Sequence, residues 1–109
     1  MSDEQDGIEL LVLLEVEGLE DKQRFEKHVK KEGFVVVEDE EFVYTGKSTT
    51  SLFATKAFIL EVFKVALQKQ EFKGKANLVF LLNELPYPPY YYDLNTKEFE
   101  EAEIKEETK

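Results

Sequence analysis

Ile8-Glu9-Leu10-Leu11-Val12-Leu13-Leu14-Glu15-Val16, bounded by Gly7 and Gly18, decides how the rest of the chain is read. A short apolar run between two glycines suits a central strand buried on both faces, because neither parity of side chains is polar enough to meet water. Against that strand, the change of period that follows is plain. In residues 19–32, Phe25 and Val29 stand at i, i+4 among charged positions, and Gly33 occupies the place of a helix C-cap glycine. Glu20 and Asp21 begin this segment and Lys30 and Lys31 end it, the order that a helix dipole favours.

Working toward the C-terminus, residues 34–37 read as a second strand, Glu38-Asp39-Glu40-Glu41 as an acidic turn, and residues 42–45 as the hairpin partner. Gly46 is expected to end that strand. Ser48, Thr49, Thr50 and Ser51 then offer N-caps for a helix running to about residue 70, where Ala54, Ala57, Leu60, Lys64 and Leu67 keep helical spacing. Its apolar band is broad, which predicts a heavily buried helix. After Gly74, residues 76–83 form a fourth strand.

The order βαββαβ, with short right-handed crossovers, folds most simply as an α+β ferredoxin-like plait: a four-stranded antiparallel sheet with both helices on one face. A Tyr- and Pro-rich extension starts at about residue 84, runs through Leu85-Pro86-Tyr87-Pro88-Pro89-Tyr90-Tyr91-Tyr92, turns at 93–96 and gives an edge strand or small hairpin near 97–99. Residues 8–99 are thus expected to form one domain, with a flexible acidic N-terminus (1–7) and a frayed acidic tail (100–109).

The 109 residues suffice for a single core, and 42% hydrophobic residues with nine Phe can fill it. With no cysteine, disulfide scaffolds, zinc knuckles, iron–sulfur ligation and thiol catalysis are excluded, and no cofactor is expected. The acidic N-terminus and the interruption of the first apolar run by Glu9 and Glu15 argue against a signal peptide or a membrane span, so a cytoplasmic location is expected. The net charge of −10 is uneven: acid gathers in residues 1–21, 32–41 and 84–109, base in 22–31 and 42–83. Such a chain repels nucleic acid at long range, although a local basic face can still bind it.

Several groups carry candidate chemistry. Gly46-Lys47-Ser48-Thr49 has the ending of a phosphate-binding loop, but Glu41 stands where the loop's first glycine belongs, which favours a strand-to-helix turn with a capping hydroxyl. His28, the only histidine, reads as a solvated surface residue. Glu15 and Glu17, with the acids at 38–41, form either a divalent-cation site or charges that block edge-to-edge sheet pairing. Lys22, Arg24, Lys27, Lys30 and Lys31 make a basic helix face, with Lys69, Lys73 and Lys75 after the second helix; this is an ordinary solvated surface or a contact for phosphates or an acidic partner. Tyr87, Tyr90, Tyr91 and Tyr92 on their stiff Pro-rich segment either cover the sheet's open face or form an interface.

Residues 33–83, about half the chain, resemble the virulence-associated protein D family and its relatives among CRISPR-associated integration nucleases. The likeness rests on Gly33-Phe34 opening a strand, Val43-Tyr44 in the next, a long helix, Phe72-Lys73 and a closing strand. The resemblance implies a ferredoxin-like fold and, in members that cleave nucleic acid, an acidic residue in a Tyr-Asp or Phe-Asp pair at the end of the first strand. Here that place reads Glu15-Val16-Glu17-Gly18.

The expected function is a non-catalytic interaction or regulatory module. The alternative is a small metal-dependent nuclease using Glu15 and Glu17, and the third reading is an acidic nucleic-acid mimic or inhibitor. Because the open sheet face is apolar, it is expected to be buried by the Tyr-rich segment, by a second copy of the chain or by both, with a homodimer the leading form and another protein partner the alternative.

Overall fold

In the computed structural model, which describes residues 7–102, two helices pack on one side of a seven-stranded antiparallel sheet. The elements are β1 (Ile8–Glu17), α1 (Lys22–Lys31), β2 (Val35–Val36), β3 (Val43–Ser48), α2 (Leu52–Gln68), β4 (Lys75–Leu82), β5 (Leu85–Pro86), β6 (Tyr90–Asp93) and β7 (Glu98–Glu101). The strand order is β2-β3-β1-β4-β6-β7, with β5 also pairing β4. β1 is central, pairing β3 on one side and β4 on the other.

Parity divides β1. Leu10, Val12 and Leu14 are buried with Leu78, Phe80 and Leu82 of β4, and on this side Phe25 and Val29 of α1 and Ile59 and Phe63 of α2 complete the core. Phe25, Tyr44 and Phe63 meet around one point, with ring centroids 5.5–6.3 Å apart, so each helix sends one ring onto the same strand residue. Both helix starts are capped: Asp21 accepts from the Arg24 amide at 3.0 Å and Ser51 from the Ala54 amide at 3.1 Å.

Several expectations are corrected. The sheet has seven strands rather than four. Gly46 does not end β3: it sits mid-strand, where a Cβ would lie 3.5 Å from carbons of Leu10 and Phe34, and the strand continues through Lys47 to Ser48. Glu100 and Glu101 belong to β7 instead of a frayed tail, while the flexible end expected at 1–6 and the tail expected at 103–109 lie outside the described residues.

The Tyr-rich segment does not fold across the open face. It lies along the edge of β4, extending the sheet, and its prolines explain how. Leu82 pairs Leu85 and Leu81 pairs Pro86, yet Leu78 pairs Tyr90 and Asn77 pairs Tyr91, so the register gains one residue on this strand between Pro86 and Tyr90. Pro88 and Pro89, which have no N–H to give a ladder, occupy this bulge. A one-residue slip reverses the facing of everything after it. Tyr90 and Tyr92 therefore turn to the helix side and are buried, where Tyr90 stacks on Phe80 at 6.0 Å and Tyr92 meets Phe72 at 5.8 Å, while Tyr91 turns to the other side.

Glycine is required at position 74, where a Cβ would come within 1.9 Å of the Glu17 carbonyl oxygen. The two-residue turn between β4 and β5 places Asn83 (φ 52°) and Glu84 (φ 68°) both in the left-handed region, the type I′ pattern that matches strand twist.

Candidate functional site

The face of the sheet opposite the helices is where exposed apolar surface and charge come together. Antiparallel partners point to the same side, so the register lays out this face directly. One cross-strand row is Val35–Thr45–Leu11–Leu81–Pro86 and the next is Val43–Leu13–Val79. Leu11, Leu13, Val43, Val79 and Leu81 are half-buried and Val35 is 60% exposed. A groove of about 610 Å³ follows part of the first row and is lined by Leu11, Val35, Thr45 and Leu81 together with Glu9, Lys47 and Glu84.

Polar rows flank this band. On one side Glu9 stands opposite Lys47, and Glu9 and Asn83 hold each other through two hydrogen bonds: the Glu9 amide donates to Asn83 Oδ1 at 3.0 Å and the Asn83 amide to the Glu9 carbonyl at 2.9 Å. On the other side come Glu15–Asn77–Tyr91–Glu100 and then Glu17–Lys75. Glu15 and Glu17 thus share a strand face and are exposed, with Glu17 opposite a lysine. The acids at 38–41 lie elsewhere, Glu41 being 3.9 Å from Lys22, whose ammonium also sits 4.9 Å over the Phe42 ring. Among the described residues, no group of three or more His, Asp or Glu gathers as a metal site would require.

The four tyrosines do not act as one group. Tyr90 and Tyr92 are core residues, Tyr87 stacks on Phe80 at 5.5 Å on the same side, and Tyr91, 40% exposed, alone reaches the open face. Arg24, Lys27, Lys30 and Lys31 are exposed along α1 as expected. Lys69 joins them by donating to His28 Nδ1 at 3.2 Å, but Lys75 belongs to the open face. His28 is half-buried between the helices rather than fully solvated; burial and then the Lys69 charge hold its pKa below the usual imidazole value.

Gly46-Lys47-Ser48 lies in strand β3, so it forms no phosphate-cradling loop. The hydroxyls instead close the β3–α2 junction: Ser48 Oγ is 2.6 Å from Thr55 Oγ1 and 3.0 Å from Thr50 Oγ1, which satisfies the fully buried Thr55. Tyr44 is fully buried as well; its hydroxyl donates to Glu26 at 2.9 Å, and burial first, then Glu26, push its pKa well up.

A second exposed apolar surface was not foreseen. α2 was expected to be heavily buried, yet Leu52, Phe53 (83% exposed), Ala54, Ala57 and Phe58 face outward. Among the described residues only α1 and the sheet cover this helix, and each meets one side of it; Phe58 finds partial cover by stacking on Phe34 at 5.8 Å. The signal in sequence was the near absence of charge: between residues 48 and 60 only Lys56 is ionised, and it lies 5.5 Å over the Tyr90 ring. Among the described residues no helix is long and apolar enough to cross a membrane.

No family model, curated protein or solved structure matches the chain.

Proposed function

We propose that this protein is a non-catalytic interaction or regulatory module whose working surface is the open face of β3, β1 and β4. The observation that carries the reading is the two-row apolar band there, which the described residues leave uncovered and which contacts with a partner would remove from water. The inner order β2-β3-β1-β4, with α1 and α2 packed on one side, supports reading residues 8–82 as a ferredoxin-like plait to which the Tyr/Pro extension has been added. That architecture accommodates many functions, so the exposed face and not the fold points to the role.

The occupant is either a second copy of the chain, giving the expected homodimer, or a different protein. The nuclease reading retains one supporting feature, the neighbouring carboxylates Glu15 and Glu17 on an exposed strand face. The mimic reading is supported less: Leu11 and Leu13 interrupt the acids of β1, and Lys47 and Lys75 interrupt them across the strands.

Incubation with RNA and duplex DNA in magnesium, beside a Glu15→Ala, Glu17→Ala variant, tests the class. The module reading expects no cleavage by either protein, and cleavage that the variant loses would overturn it.

A further inference from the structure

Resting on that reading, we propose that the open face receives a basic amphipathic helix from another protein, rather than a second copy of this chain. The band crosses β2, β3, β1, β4 and β5, so at about 4.8 Å between strands it is about 19 Å long. Its two rows make a narrow stripe. A helix of about 13 residues has this length, and its apolar stripe of one residue every third or fourth position has this width.

The charge on the flanks selects the helix. Around the band stand five acids, Glu9, Glu15, Glu17, Glu84 and Glu100, against two lysines. Lys47 is in register with Glu9 and Lys75 with Glu17, which leaves Glu15, Glu84 and Glu100 with no cation in register. A helix carrying Lys or Arg on both borders of its apolar stripe would meet that excess on each side of the band. A second copy would not: an isologous contact lays the same surface on itself, bringing acidic flanks together between chains that each carry −10.

The test uses three labelled peptide probes of about 13 residues and fluorescence anisotropy. One is a Leu/Lys amphipathic helix, one keeps its Leu pattern with Glu for Lys, and one scrambles the first so that no stripe remains. They are titrated against the full chain, a band variant (Leu13→Thr, Leu81→Thr) and a flank variant (Glu15→Gln, Glu84→Gln, Glu100→Gln). Light scattering gives the mass of each protein. The proposal expects a 12.7 kDa monomer that binds the Leu/Lys probe at least about tenfold more tightly than the other two, with that preference lost in both variants and weakened by salt. The flank variant carries the test if the band variant fails to fold. A dimer that the band variant dissociates would overturn the basic helix as occupant while preserving the interaction module. Probe binding unchanged by both folded variants, in a monomeric protein, would overturn the module as well.

Discussion

Leu10 and Leu11 are neighbours of the same residue type in the same strand, yet one is 4% exposed beneath two helices and the other stands half-exposed on a face that nothing in the described chain covers. The two sides of this sheet are alike in composition and unlike in role. On the helix side, aromatic rings from α1, α2, β3, β4 and β6 close over the even-numbered residues of β1, and the burial stabilises the fold. On the open side the odd-numbered residues carry the same chemistry with acids placed around it, an arrangement suited to a partner.

Mutations on the two sides should therefore behave differently, and the largest difference comes from the helix side. Phe63→Ala removes a fully buried ring that touches Phe25, Phe34 and Tyr44, and should cost about 3–5 kcal/mol, comparable to the whole stability of a small domain. Leu13→Thr on the open side should cost less than about 1 kcal/mol. Urea unfolding midpoints compare the two, and equal losses would break the distinction.

Deleting Pro88 sharpens the comparison, because it would remove the extra residue of the bulge and still leave Tyr90 opposite Leu78, so Tyr90 and Tyr92 should keep the helix side. With both tyrosines still buried, their accessibility to solvent quenchers should be unchanged, and new accessibility would contradict the one-residue bulge. Pro88→Ala, which keeps the residue count, should retain the register.

Tyr44 offers a test by pH. Its folded pKa is raised, so the stability it contributes is present below about pH 10, the value of an unfolded tyrosine, and is lost as pH rises toward the folded value. Tyr44→Phe should cost about 0.5–1.5 kcal/mol near neutrality, and that deficit should shrink as unfolding is measured at increasingly alkaline pH. A deficit constant with pH would remove the buried hydroxyl from the account.

The smallest effect belongs to the turn that borders the open face. Glu84 holds φ 68°, a conformation glycine adopts without a Cβ penalty, so Glu84→Gly should be neutral or stabilise by up to about 1 kcal/mol in thermal unfolding.

Much of the helix side was legible in the sequence. The run at 8–16, the Phe25/Val29 pair and the alternation in 76–83 each name their element, and β1 could be read as apolar on both parities. What parity could not say was which side the helices would choose. The open band is assembled from β2, β3, β1, β4 and β5 through register, a property of pairs of strands that no single segment displays. The extension was misread for a related reason. The stiff Pro-rich segment was expected over the open face or at an interface, whereas a single bulge absorbs Pro88 and Pro89 and lets the strand stay on the edge of β4 with its facing reversed. The outer side of α2 was expected to be buried because the helix's apolar band is broad, but among the described residues two helices and one sheet leave it uncovered.

Side-chain methyl resonances separate the two sides of the sheet residue by residue, so a methyl-NMR titration of the full chain with the Leu/Lys helix probe tests the central claim most directly. The account predicts that the methyls of Leu11, Leu13, Val79 and Leu81 shift together while those of Leu10, Val12, Leu78 and Leu82 stay in place. Shifts confined to Leu52 and its neighbours on α2, or no shift in the open-face set, would contradict it.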